Sequence, residues 1–458
     1  MLTRSRTTRS QRGRGLTMLA AAAALAALAG PAHAFCGFYV AKADGELFNE
    51  ASKVVMARDG DRTVITMAND YQGAPQDFAM VIPTPVVLRE DQINVAEAAL
   101  IDRIDAYSAP RLVEYFDENP CARPAIGDLV AATALPEAAP ASPRRRAESL
   151  GVTIEAEYTV GEYDIVILSA EESGGLQTWL SESGYRTPEE TKPVLASYIA
   201  QDMKFFVAKV NLAEQAKSGG QFLRPLQISF ESEKYMLPIR LGTVNAKGKQ
   251  DLLLFALSRK GRVETANYPT RKIPSDLTIP LFVQEEFGAF YKAMFQTASD
   301  RAGGRAVFTE YAWDMNWCDP CAADPLTVSE LQGLGVFWLD PNAPNKGGAV
   351  DVYVTRLHVS YDGESFPEDL RLMATGDRRN FQARFITRHP FDGAADCPAG
   401  RAYREELARG YERQAQTLAN LTGWDISEVR AKMAANGQDP TPPSGDQPDW
   451  WNKIWEDG

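Results

Sequence analysis

The segment KVVMARDGDRTVITMANDYQGAPQDFAMVIP, residues 53–83, sets the fold class. Val54, Val64, Ile65, Met67, Phe78, Met80 and Ile82 recur near every second position, the period at which strand side chains share one face. Asp59-Gly60 and Gly73-Ala74-Pro75 fall between the apolar runs as turn signals. The pattern predicts three strands, over 53–58, 62–69 and 77–83, joined as an antiparallel meander.

Beyond this segment the period lengthens. Ile93, Ala96, Leu100, Ile104 and Tyr107 fall on one helical face, and Pro110 marks a boundary before a second short helix carrying Leu112, Val113 and Phe116. Residues 152–160 and 164–168 read as strands, residues 176–184 and 189–200 as helices, and residues 204–210, 226–230, 235–241 and 251–257 again as strands. Near the end, Tyr403, Leu407, Tyr411, Ala415 and Leu418 line a long helix that stops at Gly423, and Asp425 with Glu428 forms a capping box for another. The expected class is α+β, with mixed, largely antiparallel sheets, covering helices, two subdomains, a long C-terminal helix and a disordered tail.

Composition shifts mark the boundaries. Residues 119–150 are rich in Ala and Pro and carry the triplet Arg144-Arg145-Arg146, which reads as a linker or solvated loop. The expected organisation is therefore a leader over 1–34, an α+β subdomain over 35–118, the linker, a larger α+β subdomain over 151–437 and a tail over 438–458. The tail holds Pro440, Pro442, Pro443 and Pro448, and its Trp450, Trp451 and Trp455 are expected to fold back on the body rather than to meet a partner.

The leader is read from charge and size. Arg4, Arg6, Arg9, Arg12 and Arg14 precede an apolar run over 16–28, and Ala32-His33-Ala34 offers small residues beside a scissile bond. This is the pattern of a secretory signal peptide cleaved between Ala34 and Phe35. Cleavage leaves 424 residues and shifts the formal charge from -13 to -18. So acidic a chain repels polyphosphate, which sets aside nucleic acid as a partner. No later apolar stretch approaches the roughly 20 residues that span a bilayer, so no transmembrane anchor is expected after the leader is removed.

Cys36, Cys121, Cys318, Cys321 and Cys397 follow the leader, and an oxidising compartment makes disulfides their expected state. An odd number leaves one unpaired, and spacing does not choose among the pairings. Loop entropy favours Cys36–Cys121, at about 4–5 kcal/mol, over Cys318–Cys321, at about 2 kcal/mol.

Catalytic signatures are scarce. Only His358 and His389 follow the leader, with no HExxH, G-x-S-x-G or P-loop, so neither a metal nor a cofactor is expected. Trp317-Cys318-Asp319-Pro320-Cys321 resembles the W-C-x-P-C loop of thioredoxin-like oxidoreductases, in which the first cysteine attacks as thiolate and the second resolves the mixed disulfide. Here Ala322-Ala323-Asp324-Pro325 follows, which interrupts the helix that would stabilise the thiolate. The loop therefore reads as a structural turn closed by a disulfide, with catalysis by Cys318 and Cys321 as the alternative.

Several longer segments, Phe35-Cys36-Gly37-Phe38-Tyr39-Val40, Val81-Ile82-Pro83-Thr84-Pro85, the WCDPC loop, Thr355-Arg356-Leu357-His358 with Phe366-Pro367-Glu368-Asp369-Leu370, and Arg388-His389-Pro390, resemble the bacterial "domain of unknown function 2330" family. The resemblance covers most of the chain after the leader. It implies a bacterial, exported protein and adds no catalytic residues. The function expected is that of a periplasmic or secreted binding or interaction protein of the cell envelope, acting on an unknown envelope protein or ligand. A periplasmic thiol–disulfide oxidoreductase is the alternative.

Overall fold

The alternating residues of the opening segment form neighbouring antiparallel strands, Ala51–Asp59 and Arg62–Met67, joined through Gly60, whose φ of 57° suits glycine. The computed structural model describes residues 38–42, 51–68, 78–122, 152–183, 185–218, 223–244, 248–319, 324–340, 342, 349–440 and 455. The two strands sit inside a nine-stranded sheet. Its main path runs Thr270–Lys272, Val307–Asp314, Tyr353–Tyr361, Gln250–Ser258, Ala51–Asp59, Arg62–Met67, Leu226–Glu231 and Ile93–Val95, and Phe381–Gln382 pairs with Val307–Asp314. Most pairings are antiparallel, but Ala51–Asp59 lies parallel to Gln250–Ser258 and Thr270–Lys272 parallel to Val307–Asp314.

The third strand of the expected meander leaves this sheet. Phe78–Thr84 pairs with Phe38–Lys42 and Lys204–Val210 in a six-stranded sheet completed by Tyr163–Ala170, Val152–Val160 and Tyr185–Arg186. The reason is two-sided burial. Met80 and Ile82 join the core that faces the large sheet, while Ala79 and Val81 pack under the helices Ser173–Glu182 and Thr191–Ile199. Strands from residues 35–118 and from 151–437 thus share both large sheets, and residues 33–458 form one compact unit.

Three local readings are corrected. Residues 111–116, expected as a helix, form the strand Arg111–Phe116, parallel to Arg384–His389. Its partner lies more than 250 residues away, so the local apolar spacing could not reveal the pairing. Residues 235–241 hold only a two-residue strand, Met236–Leu237, before the short helix Arg240–Thr243, because Pro238 has no N–H to extend a ladder. Residues 93–95 are likewise strand, and the helix begins at Ala98 and runs to Ser108.

The C-terminal reading corresponds closely to the structure. The long helix spans Pro398–Thr422 and ends on Gly423 at φ 71°, and Asp425 caps Ile426–Ala435 by accepting from the Ser427 and Glu428 N–H groups. Both helices pack with Phe287–Arg301 around Phe290, Met294, Leu418, Leu421 and Met433. Trp455 packs against the same cluster, its ring under the Arg301 guanidinium at 4.7 Å, while Trp450 and Trp451 lie outside the described residues. The leader and the 123–151 stretch also lie outside them, and no helix among the described residues is long and apolar enough to cross a membrane.

Candidate functional site

A three-stranded parallel sheet, Leu277–Thr278, Arg384–His389 and Arg111–Phe116, carries most of the exposed aromatic chemistry. The register sets Arg388 beside Tyr115 and His389 beside Phe116, so alternate pairs fall on opposite faces. On one face Arg388 lies over the Tyr115 ring at 5.4 Å and donates to Asp117 Oδ1 at 3.1 Å. The Tyr403 hydroxyl, from the long helix, donates to Asp117 Oδ2 at 2.8 Å. Burial and the Asp117 carboxylate together push the Tyr403 phenol up to about 12. On the other face His389 stacks on Phe116 at 4.4 Å and bonds Glu114 Oε2 at 2.8 Å through Nε2, which holds Glu114 below the usual carboxylate range.

Arg111–Phe116 is the outer strand, and Tyr115 and Phe116 are 42% and 71% exposed. The Arg111 and Asp117 N–H groups donate inward to Ala383 and His389. Alternation then turns those of Leu112, Glu114 and Phe116 toward the edge that no described strand occupies. Beside it, between sheet and long helix, runs a groove of about 410 Å³ lined by Leu277, Thr278, Leu407, Gly410, Arg413 and Thr417 among others. Its charges are paired within the protein, Arg388 with Asp117 and Arg413 with Glu406. At Gly410 the helix wall has room to spare, since a Cβ there would meet only Arg413 at 3.9 Å.

A disulfide fastens this region. Cys121, just past the edge strand, bonds Cys397, the N-cap of Pro398–Thr422, with Cα atoms 6.1 Å apart across 276 residues of sequence. Cys397 Sγ also accepts from the Gly400 N–H at 3.2 Å. This corrects the expected Cys36–Cys121 bond. The entropy comparison weighed only loops between neighbours in the cysteine order, whereas the parallel pairing of 111–116 with 384–389 brings Cys121 to Cys397. Cys36, the cleavage residues Ala34 and Phe35, and Cys321 lie outside the described residues.

Cys318 is exposed and carries a free thiol, not the turn-closing disulfide expected. Its loop is held by hydrogen bonds instead. Asp319, 6% exposed, accepts from the Tyr311 hydroxyl at 3.1 Å and from Gln382 Nε2 at 3.0 Å, and Trp313 Nε1 donates to the Trp317 carbonyl at 3.0 Å. Drawing Asp319 inward leaves Trp317 and Cys318 on the surface. The first described helix after Cys318 starts at Val328, ten residues further along the chain.

The sequence reading also missed a buried ionic chain through the large sheet. Glu310 accepts from Arg356 Nε at 2.6 Å, from the Tyr291 hydroxyl and, through Oε1, bonds His358 Nδ1 at 2.6 Å. Arg356 reaches on to Asp105 at 2.5 Å, and Lys53 closes the chain on Asp105 at 2.6 Å. Burial alone would raise Glu310, but His358 and Arg356 outweigh it and hold the carboxyl at about 2. His358 stacks on Phe295 at 3.6 Å. An imidazole oriented by a carboxylate is one half of a hydrolytic triad. Among the described residues no Ser, Thr or Cys bonds His358, and no three His, Cys, Asp or Glu side chains gather to hold a metal. Thr355–His358 stands out in the sequence only by resemblance. A period-two pattern containing Arg356 and His358 between buried apolar residues is the signal that marks such a chain.

The fold and site together define an α+β protein of mixed sheets, its C-terminal helix tied by a disulfide to the rim of a groove beside an open strand edge. The chain belongs to the family described as "Uncharacterized protein conserved in bacteria (DUF2330)", matched over residues 30–373. The match takes in the WCDPC loop and Phe366–Leu370 and ends before Arg388-His389-Pro390 and the long helix. No curated protein and no solved structure matches the chain.

Proposed function

We propose that this is an exported, non-catalytic interaction protein of the bacterial cell envelope that captures an extended polypeptide segment along the edge strand Arg111–Phe116. One observation carries the reading: a parallel-sheet edge that no described strand occupies presents two exposed aromatic rings, Tyr115 and Phe116, each stacked on a neighbour. Exposed strand edges recruit strands through main-chain bonds, and fixed aromatic rings supply contact area at low entropic cost. The Cys121–Cys397 bond suits an oxidising compartment and keeps the edge in register with the helix. Export itself rests on the leader over 1–34.

The test is site-specific photo-crosslinking in the native bacterium. A benzophenone side chain at Phe116 is expected to give a discrete crosslinked species, while one at Met373, 46% exposed on another sheet, gives none. Equal yields at the two positions would refute the reading. The alternative, an oxidoreductase with Cys318 as nucleophile and Cys321 as resolving thiol, has the exposed Cys318 thiol in its favour. Catalysed insulin reduction that is lost in Cys318→Ser would establish it.

A further inference from the structure

The Cys121–Cys397 bond joins two unlike sulfurs. Cys121 sits in an exposed turn after the edge strand, its N–H donating to Asn119 Oδ1 at 2.8 Å. Cys397 is half-buried and caps the 25-residue helix Pro398–Thr422, where its Sγ accepts from the Gly400 N–H at 3.2 Å. The position is one that a side-chain oxygen of Ser, Thr, Asp or Asn usually fills. A sulfur held there gains most as a thiolate, because the first-turn N–H groups and the positive end of the helix dipole both favour negative charge. The first turn holds no acidic residue, and Arg401 turns its guanidinium to the same end, donating to the Asp396 carbonyl at 2.6 Å. The Asp396 side chain, the nearest acid in sequence, belongs to an exposed residue.

Thiol–disulfide exchange is governed by access to the attacked sulfur and by the stability of the thiolate that leaves. Here the two requirements fall on opposite ends of one bond. Cys121 is the accessible end, and Cys397 is the end built to carry the charge.

The fold also holds these ends together by other means. The Asp117 N–H donates to the His389 carbonyl at 2.9 Å, the Tyr403 hydroxyl to Asp117 Oδ2 at 2.8 Å, and the Phe391 N–H to the Tyr403 hydroxyl at 2.8 Å. The pairing of Arg111–Phe116 with Arg384–His389 fixes both segments up to that point. Opening the bond therefore leaves the strand and the helix in place.

We propose that Cys121–Cys397 is a thiol–disulfide exchange site, opened by a dithiol reductant that attacks Cys121 and expels Cys397. The proposal does not rest on the strand-edge reading. In the first step the reductant's thiolate bonds to Cys121 Sγ as the Sγ–Sγ bond breaks, and the electron pair leaves on Cys397 Sγ. In the second step the reductant's other thiol, deprotonated, attacks its own sulfur in the mixed disulfide and releases Cys121 as thiolate. The reductant ends as a disulfide, and its two protons pass to the two cysteines.

The full exported protein, its free thiols first blocked with N-ethylmaleimide, is exposed to reduced glutathione at pH 7 without denaturant, quenched with iodoacetamide and mapped by mass spectrometry. Glutathione is expected on Cys121 and the acetamide label on Cys397, in excess of the reverse pattern by about tenfold or more. Dithiothreitol should open the bond in the folded protein within about tenfold of its rate in the urea-unfolded chain, and the reduced protein should keep the circular dichroism of the oxidised one. Ala399→Glu puts a carboxylate in the exposed first turn, where it favours the helix but opposes the leaving thiolate. It should slow dithiothreitol by about twofold or more with the melting temperature unchanged or raised. Glutathione shared equally or found mainly on Cys397, reduction confined to urea, loss of the folded spectrum on reduction, or an unchanged rate in Ala399→Glu would each overturn the proposal.

Discussion

Replacing Glu310 by Gln should destabilise the protein by about 3 kcal/mol at neutral pH. Glu310 is 1% exposed and Arg356 7%, so the substitution leaves a buried guanidinium whose remaining carboxylate, Asp105, is partly solvated. The size follows from the carboxyl itself: held at about 2 instead of 4.5, ionised Glu310 favours the folded state by about 3 kcal/mol above pH 5. Breaking a buried pair typically costs about 3–5 kcal/mol, which agrees. Because the folded value lies below the unfolded one, this contribution is complete above pH 4.5 and is lost as pH falls towards 2. Urea unfolding followed by tryptophan fluorescence should therefore show the midpoint of the Glu310→Gln variant lower by about 1 M at pH 7, for a slope of about 3 kcal/mol/M. The gap should close progressively between pH 4.5 and 2.5. A variant within 1 kcal/mol of the parent at pH 7, or a gap that stays constant down to pH 2.5, would show that the ionic chain does not act as the geometry indicates.

Other expectations concern the covalent frame and the long helix. Non-reducing peptide mapping should recover Cys121 joined to Cys397, and Cys397→Ser should lower stability by up to about 5 kcal/mol, the chain-entropy limit for so long a loop. Recovery of Cys121 bonded to Cys36 would contradict it. The glycines of Pro398–Thr422 should respond oppositely: Gly410→Ala, with room for its Cβ, should stabilise by about 0.5–1 kcal/mol, while Gly400→Ala, whose Cβ would stand 2.2 Å from the Ala395 carbonyl oxygen, should destabilise by about 1–3 kcal/mol in thermal melts. Intact-mass measurement of the exported protein should begin at Phe35, and a mass that includes residues 1–34 would remove the leader from the account.

Strands with a partner nearby in the chain, or with strong alternation, are legible in the sequence. Lys204–Val210 is bounded to the residue, and the long helix stops at the Gly423 signal. What stays hidden depends on distant partners. Leu112, Val113 and Phe116 are too few to separate helix from strand, and only Arg384–His389 decides the matter. The departure of Phe78–Thr84 to a second sheet is invisible to a pattern that reports alternation but not which sheet receives each face. The site is less legible still. Arg388, His389 and Phe366–Leu370 stand out by resemblance, but Tyr115 and Phe116 are ordinary residues until Arg384–His389 pairs with their strand.

The parallel pairing of Ala51–Asp59 with Gln250–Ser258 also sets a clock for biosynthesis. The earlier strand is made about 200 residues before its partner, an interval of about 10–40 seconds at ordinary ribosomal speed. Throughout it the strand has Arg62–Met67 on one side and a bare, apolar edge carrying Val54, Val55 and Met56 on the other. A nascent chain in this condition is a substrate for chaperones that hold open sheets apart, and its half-length truncations should aggregate rather than fold.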